Sequence, residues 1–140
     1  MLRTLLIVII SSFVCADFSG SWVLKNATRG GLPVTIPENE VVTLSVTFME
    51  ESVYTFSIHA QNNFNGRMIV KKHISKTTAL VRFNALFTTL LEPSPEFAEV
   101  ENFLSKSISD IRTAVLNESG NLIWRGPQLF AQFSPSEPDE

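Results

Sequence analysis

Alternation of apolar and polar residues is the clearest signal along this chain. Apolar side chains occupy every second position from Val42 to Phe48 and again from Tyr54 to Ala60. A period of two places alternate side chains on opposite faces of an extended strand. Both segments are therefore predicted to be half-buried strands, and the short acidic link Met49–Ser52 is typical of a hairpin.

Other short segments have the composition of strands and are bounded by turn residues. We predict strands at Phe18–Lys25, Arg67–Lys72, Ala79–Phe83, Ile111–Leu116, Leu122–Arg125 and Gln128–Phe133. The glycines and prolines of Asn26–Glu40 predict a loop. Asn62–Gly66 is predicted to be a tight turn, because Asn and Gly tolerate positive φ. Phe83–Leu91 is apolar and leaves a strand or an extended segment open.

One helix is predicted, at about residues 95–107. Ser94 is a good N-cap, Pro95 suits the first helical position, and apolar residues recur at helical spacing from Phe97 to Leu104. Burying this stripe contributes about 1.5–3 kcal/mol per large side chain, so the helix is expected to pack on the sheet. The pattern predicts an α+β, mainly β fold: an antiparallel rolled sheet or barrel of seven to eight short strands with one packed helix.

The N-terminus predicts entry into the secretory pathway. A basic start, an apolar run over Leu5–Ile10 and the small-residue end Val14-Cys15-Ala16 are typical of a signal peptide. The run is shorter than the roughly 20 residues that span a bilayer, although a retained anchor is the alternative. We predict a signal peptide at 1–16, one domain at 17–133 and an acidic flexible tail at 134–140. The mature domain would be secreted or lumenal, or periplasmic or envelope-bound in a bacterium.

Secretion has two consequences for covalent chemistry. Cys15 is the only cysteine and would leave with the signal peptide, so core packing has to stabilise the mature domain without a disulfide. Two Asn-x-Ser/Thr triplets, which begin at Asn26 and Asn117, are predicted N-glycosylation sites because each falls in a segment predicted to be a loop.

Charge and motifs exclude several classes of function. The chain has 11 Lys and Arg against 14 Asp and Glu. Its basic residues look scattered apart from Lys71-Lys72, which predicts neither a nucleic-acid partner nor stable membrane insertion after signal removal. No Gly-x-Ser-x-Gly elbow is present, and the spacing of His59, His73 and Asp110 does not favour a triad or a metal site. We predict no catalytic, cofactor-binding or metal-binding residues.

The opening Gly20-Ser21-Trp22 resembles the Gly-x-Trp signature of lipocalins. That resemblance implies that Trp22 closes one barrel end, with Arg125 as its cation–π partner. In lipocalins the helix follows the eighth strand, whereas here strands are predicted after the helix. The order of elements therefore argues against a lipocalin.

Three blocks of sequence occur at Asn62–Gly66, at Thr88–Leu91 running into Pro95-Glu96, and at Glu99–Leu104. Together they resemble the META domain, the family that includes the bacterial heat-shock protein HslJ. They are an Asn-x-Phe-x-Gly segment, a Thr-Thr-Leu-Leu stretch running into Pro-Glu, and an acidic and apolar helix; the Gly-Ser-Trp opening also fits. The motif residues are Gly20, Trp22, Asn62, Phe64, Gly66, Thr88, Pro95, Glu99, Glu101 and Leu104. The match covers about residues 17–133.

The resemblance implies structural roles for these residues. Asn62 and Gly66 would shape a tight turn, Thr88 would satisfy a buried backbone group, and Glu99 would reach a neighbouring backbone or basic group. Many bacterial members have cysteines where this chain has Gln61 and Glu92, so it is similar to the cysteine-poor members of protozoan parasites. The family is associated with stress tolerance and virulence, and the resemblance brings no catalytic residues.

These observations lead to one hypothesis and two alternatives. The chain is expected to be a secreted, non-enzymatic META-type domain that binds protein partners as an interaction, stress or virulence factor. An alternative is a lipocalin-like carrier that holds a small apolar ligand in an interior lined by some of its eleven phenylalanines. A hydrolase that uses His59 or His73 is the third possibility.

Overall fold

The chain forms a long antiparallel sheet and one α-helix. The structure, a computed structural model, describes residues 15–89 and 91–136, without the side chain at position 85. Within these ranges the elements are β1 Gly20–Arg29, β2 Leu32–Pro33, β3 Thr43–Glu50, β4 Val53–His59, β5 Asn63–His73, β6 Thr78–Thr88, α1 Pro95–Ser107, β7 Thr113–Leu116, β8 Leu122–Gly126 and β9 Leu129–Pro135.

Eight of the strands close into a barrel. Strands β3 to β9 pair in chain order, and β1 pairs with both β3 and β9, so the sheet has no free end at that seam. Every pairing is antiparallel, and the two-residue strand β2 adds to β1 outside the ring. The prediction of a mainly β, antiparallel, barrel-like fold with one helix is confirmed. The extra strand lies in the segment predicted to be a loop.

Two local predictions are wrong for the same physical reason. Asn26–Glu40 was expected to be a loop, but residues up to Arg29 continue β1 because β9 pairs with them. Asn62–Gly66 was expected to be a tight turn, but β5 begins at Asn63 and pairs with β4 from Asn63 to Ile69. In both cases ladder hydrogen bonds and an inward-facing apolar residue, such as the buried Phe64, outweigh local turn propensity.

Helix α1 closes one end of the barrel and has the predicted bounds. Its side chains Phe97, Phe103 and Leu104 are buried. Arg29, at the end of β1, donates a hydrogen bond from Nη1 to Ser107 Oγ at 2.9 Å. Ser94 is the N-cap as predicted, but its hydroxyl makes no capping bond; instead its backbone N–H donates to Gln61 Oε1 at 2.6 Å.

The opposite end and the interior are filled by aromatic side chains. Phe18 is fully buried, with its ring centroid 6.0 Å from that of Tyr54 near the start of β4. Inside, the Trp124 ring packs edge-on against Phe83 at 4.8 Å and Phe133 at 4.9 Å. Aromatic pairs of this kind stabilise by about 0.5–1.5 kcal/mol beyond their area burial. The barrel is therefore a packed core along these strands.

Candidate functional site

A polar cluster at the helix end of the barrel is centred on Asn62; we call it the buried cluster because Asn62 and Glu101 are buried, whereas Thr89 at its edge is exposed. Its Nδ2 donates to Leu91 O at 2.7 Å and to Glu101 Oε1 at 2.6 Å. Its Oδ1 accepts from Thr89 Oγ1 at 2.7 Å and from the backbone N–H of Leu91 at 2.9 Å. All the hydrogen-bonding capacity of this carboxamide is used, so the cluster ties the β4–β5 connection to the β6–α1 connection and the helix.

The cluster brings together residues of all three motif blocks, but two of the expected roles belong to neighbouring residues. Glu101 is 5% exposed, and its Oε2 accepts the backbone N–H of Asn62 at 2.6 Å, whereas Glu99 is exposed. Thr89 accepts the backbone N–H of Asn63 at 3.0 Å, whereas Thr88 is an ordinary strand residue opposite Phe64. The roles predicted for Glu99 and Thr88 are therefore wrong.

Gly66 is required by a close approach within the sheet, and the tight turn predicted for it is absent. A Cβ there would lie 2.9 Å from the carbonyl oxygen of Asn84 and 2.9 Å from the ring of Phe56. At this point one residue of β5 faces two residues of β6, positions 85 and 86, which makes a β-bulge. Bulges bend a strand and increase its twist, so the sheet surface changes direction at Gly66.

The lipocalin-like pair of Trp22 and Arg125 is not formed. Trp22 is buried at 6% exposure, and no described residue accepts a hydrogen bond from its Nε1. The backbone of Gly20, at φ 150°, lies against the same indole ring. The Arg125 guanidinium instead lies over the Phe130 ring, 5.2 Å from its centroid.

The two histidines lie at opposite ends of the barrel. His59 ends β4 and contacts Asn63, whereas His73 ends β5 at the far end of the hairpin. Asp110 lies in the short 3₁₀ helix that follows α1. Among the described residues no group of three His, Cys, Asp or Glu could hold a metal ion. The three side chains are not brought together as a catalytic group.

The two glycosylation triplets lie in different environments. Asn117 lies in the β7–β8 turn, where its Oδ1 accepts the backbone N–H groups of Ser119 at 3.0 Å and Asn121 at 2.9 Å. Asn26 lies in β1, and the loop predicted for it is absent; its Nδ2 is 3.5 Å from Gln132 Oε1. Occupancy of either triplet stays a prediction.

The predicted signal peptide and tail fall largely outside the described residues. Near the predicted cleavage site, Asp17 Oδ1 accepts from the Ser19 backbone N–H at 3.0 Å and from the Tyr54 hydroxyl at 3.4 Å. The bond from Ser19, above all, lowers the pKa of Asp17. Burial raises the pKa of Tyr54, with a smaller contribution from the nearby Asp17 charge. At the other terminus β9 continues to Pro135, so the predicted tail begins within the sheet.

A groove of about 540 Å³ lies on the outer surface of β3 to β6, above the bulge at Gly66. Most of its exposed surface is apolar, and we call it the polar groove after the hydroxyl, carboxamide and guanidinium groups in its lining. This volume is within the range of about 300–1,000 Å³ typical of small-molecule sites. No side chain in its polar lining bonds to another described residue. Phe87, 71% exposed, lies at its edge. The side chains that define the polar groove are Ser45, Thr47, Thr55, Ser57, Asn65, Arg67 and Phe87.

The polar groove is part of a larger basic face. Between Ser52 and Leu91, the segment that contains β4, β5 and β6, the chain has five of its eleven Lys and Arg residues and none of its fourteen Asp and Glu. Arg67 lies opposite Asn84, and Arg82 is two residues from Asn84 on the same face, so the two guanidinium groups are diagonal neighbours. We call the exposed surface that carries Arg67, Lys71, Lys72 and Arg82 the basic face.

The basic face was missed because its residues are spread along the sequence. Arg67 and Arg82 are fifteen positions apart and become neighbours only when β5 pairs with β6. A signal was nevertheless present, since no acidic residue occurs between Glu51 and Glu92. The prediction that the basic residues are scattered is therefore wrong for this surface.

Comparisons with known proteins bear on the fold alone. No family model matches the chain, and no curated protein matches it. It is similar to a solved structure described as the NMR structure of the protein from Burkholderia xenovorans, with a TM-score of 0.54 and 11% identity over 86% of this chain and 83% of that chain. No helix in the described residues has the length and apolar character needed to cross a membrane. Fold and site together define a helix-capped antiparallel barrel with a basic face on β5 and β6.

Proposed function

We propose that this chain is a secreted, non-enzymatic, META-type interaction domain that binds an anionic partner through the basic face. The observation that carries the proposal is the segregation of charge: a segment of three neighbouring strands has only basic charges within a chain that is acidic as a whole. Side chains with no partner of their own on this face are available to a second molecule. An association with stress tolerance or virulence would follow from the META resemblance.

The buried cluster supports the META-type part of the proposal. The three sequence blocks that carry the resemblance are separated by up to 39 positions, yet Asn62, Thr89 and Glu101 meet in one hydrogen-bonded network. Motif residues that hydrogen-bond to one another in this way stabilise the fold, which is the role that the resemblance implies for them. These residues support the scaffold, while the basic face provides the contact surface.

The experiment is affinity capture of the tagged protein from the secretory compartment of its own host. The double variant Arg67→Thr/Arg82→Thr removes two exposed charges from the basic face and keeps strand-forming residues. The matched control, Lys25→Thr/Lys106→Gln, removes two exposed charges elsewhere. We expect the first variant to lose a partner that the wild type and the control both retain. Equal capture by all three proteins, or no partner with any of them, would contradict the proposal.

The carrier alternative has a different requirement, which is space inside the barrel. The closed barrel is compatible with it, but Trp124, Phe133 and Met68 are fully buried in the interior, which counts against a ligand cavity. Native mass spectrometry of the secreted protein distinguishes the two functions. A co-purifying apolar ligand would favour the carrier, and the mass of the protein and its glycans alone would favour the interaction domain.

A further inference from the structure

We infer that the polar groove binds an acidic saccharide, a chain of pyranose rings that carries carboxylate or sulfate groups. The inference rests on the proposed function, because it assumes that the basic face is the binding surface, and it names the chemistry of the ligand. Three independent features of the groove lead to it: the rows of hydroxyl groups, the unpaired cations and the exposed aromatic ring.

The hydroxyl groups of the groove form rows across the strands. Ser45, Ser57 and Asn65 are register partners on β3, β4 and β5, and Thr47 and Thr55 form the next row. Neighbouring strands are about 4.8 Å apart, so each row repeats hydrogen-bonding groups at a regular interval. Hydroxyl and carboxamide groups both donate and accept hydrogen bonds. A sugar ring presents the same mixed chemistry around its edge, and this makes the two surfaces complementary.

The cations select for negative charge on that ligand. The Arg67 guanidinium lines the groove, and neither Arg67 nor Arg82 has an ion-pair partner among the described residues. A guanidinium group can bind a carboxylate or a sulfate through two parallel hydrogen bonds. Lys71 and Lys72 extend the positive surface along β5. A neutral sugar would leave these charges unused.

The aromatic ring distinguishes a saccharide from an anion that has only charge to offer. Phe87 lies in β6 opposite Asn65 and is 71% exposed. The C–H face of a pyranose ring can pack against such a ring, whereas a simple polyanion gains nothing from it. The strands beneath the groove also disfavour an extended peptide. Strands β4 and β5 are paired on both edges, so no backbone groups remain there for strand addition.

The test is calorimetric titration of the folded, secreted protein with four probes. They are a heparin hexasaccharide, a hyaluronan hexasaccharide, poly-L-glutamate and neutral maltohexaose. Heparin and hyaluronan separate sulfate from carboxylate as the source of charge. We expect at least one acidic saccharide to bind more tightly than poly-L-glutamate, with affinity that falls as salt is added, and maltohexaose to bind most weakly.

Two variants separate the charged contact from the aromatic contact. Arg67→Thr should lower the affinity for the acidic saccharide about tenfold and flatten its salt dependence. Phe87→Ala should lower the affinity about threefold and leave the salt dependence unchanged. The matched control is Phe48→Ala, because Phe48 is 50% exposed but lies outside the groove.

Two outcomes would overturn the inference. If poly-L-glutamate binds as tightly as the saccharides and Phe87→Ala has no effect, the face only attracts charge. If no saccharide binds while the Arg67→Thr/Arg82→Thr variant still loses its captured partner, the saccharide inference fails and the proposed function stands. If that variant retains the partner, the proposed function itself fails.

Discussion

The buried cluster around Asn62 and the polar groove around Asn65 differ in how their polar side chains are hydrogen-bonded, although the two asparagines are three positions apart in sequence. Asn62 uses the hydrogen-bonding capacity of its side chain on Thr89, Leu91 and Glu101. Asn65 makes no side-chain hydrogen bond to any described residue. Similar polar groups therefore have different roles at the helix end of the barrel and on its outer surface. One set holds the helix in place, and the other remains available to a ligand.

Burial accounts for this difference. A polar group that is removed from water without a hydrogen-bond partner costs about 1–3 kcal/mol, so the buried side chains must find partners within the chain. Exposed side chains are solvated and need no such partner. Each region can therefore be changed by mutation without affecting the other. Three variants or pairs of variants test the role of burial, from the largest expected effect to the smallest.

The largest expected effect is from Asn62→Ala. The substitution leaves the Glu101 carboxylate, 5% exposed, with only the backbone N–H of residue 62 as a donor, and it also removes the carboxamide partner of Thr89 and Leu91. Each buried polar group that loses its hydrogen-bond partner costs about 1–3 kcal/mol, so we expect the free energy of unfolding to fall by roughly 3 kcal/mol. Chemical denaturation followed by tryptophan fluorescence measures this, since Trp22 and Trp124 are both buried.

The matched control is Asn65→Ala, which should change the unfolding free energy by less than about 0.5 kcal/mol because the side chain is exposed. The double variant Asn62→Ala/Glu101→Ala tests the cause. It removes the stranded carboxylate, so it should cost less than the sum of the two single changes. Equal effects at positions 62 and 65 would show that the contrast between the two regions is wrong.

A smaller effect should separate the two adjacent threonines at the end of β6. Thr89→Val keeps the shape of the side chain but removes the hydroxyl that bonds to Asn62 Oδ1 and to the Asn63 backbone N–H. We expect a loss of about 1 kcal/mol in the same denaturation measurement, because the Thr89 side chain is exposed although the Asn62 oxygen that accepts its hydrogen bond is buried. Thr88→Val should be nearly neutral, because the Thr88 hydroxyl has no partner among the described residues. The reverse order would restore the role first predicted for Thr88.

The comparison also shows what the sequence can and cannot predict. Helix α1 was predicted at about its observed bounds because Ser94, Pro95 and the apolar spacing are all local signals. The alternating strands were predicted for the same reason. The turn predicted for segment 62–66 was wrong because Asn and Gly occur both in turns and in strands. The alternation around the buried Phe64 indicates a strand, and only the pairing with β4 decides between the two.

The two polar regions required distances that a sequence does not contain. Glu99 and Glu101 are the same residue type, and the orientation of the helix decides which of them is buried beside Asn62. Likewise, Arg67 and Arg82 become neighbours through a register that passes over a bulge. The absence of acids from Ser52 to Leu91 could have been predicted from the sequence, but the pairing that brings Arg67 and Arg82 onto one face could not.

The smallest expected effect comes from Asp17, a carboxylate that has hydrogen bonds, like Glu101, but is exposed. Its pKa is lowered in the folded protein, chiefly by the Ser19 backbone N–H. A group with a lowered folded pKa stabilises the protein above its unfolded pKa, about 3.9, and this stability is lost as the pH falls through the folded value.

Asp17→Asn keeps an acceptor oxygen but cannot titrate. Its unfolding free energy, measured from pH 6 to pH 2, should therefore fall less steeply than that of the wild type below about pH 4. The difference should stay under about 1 kcal/mol because water screens the exposed group. A difference as large as that of Asn62→Ala would mean that hydrogen bonding alone, without burial, accounts for the contrast between the two regions.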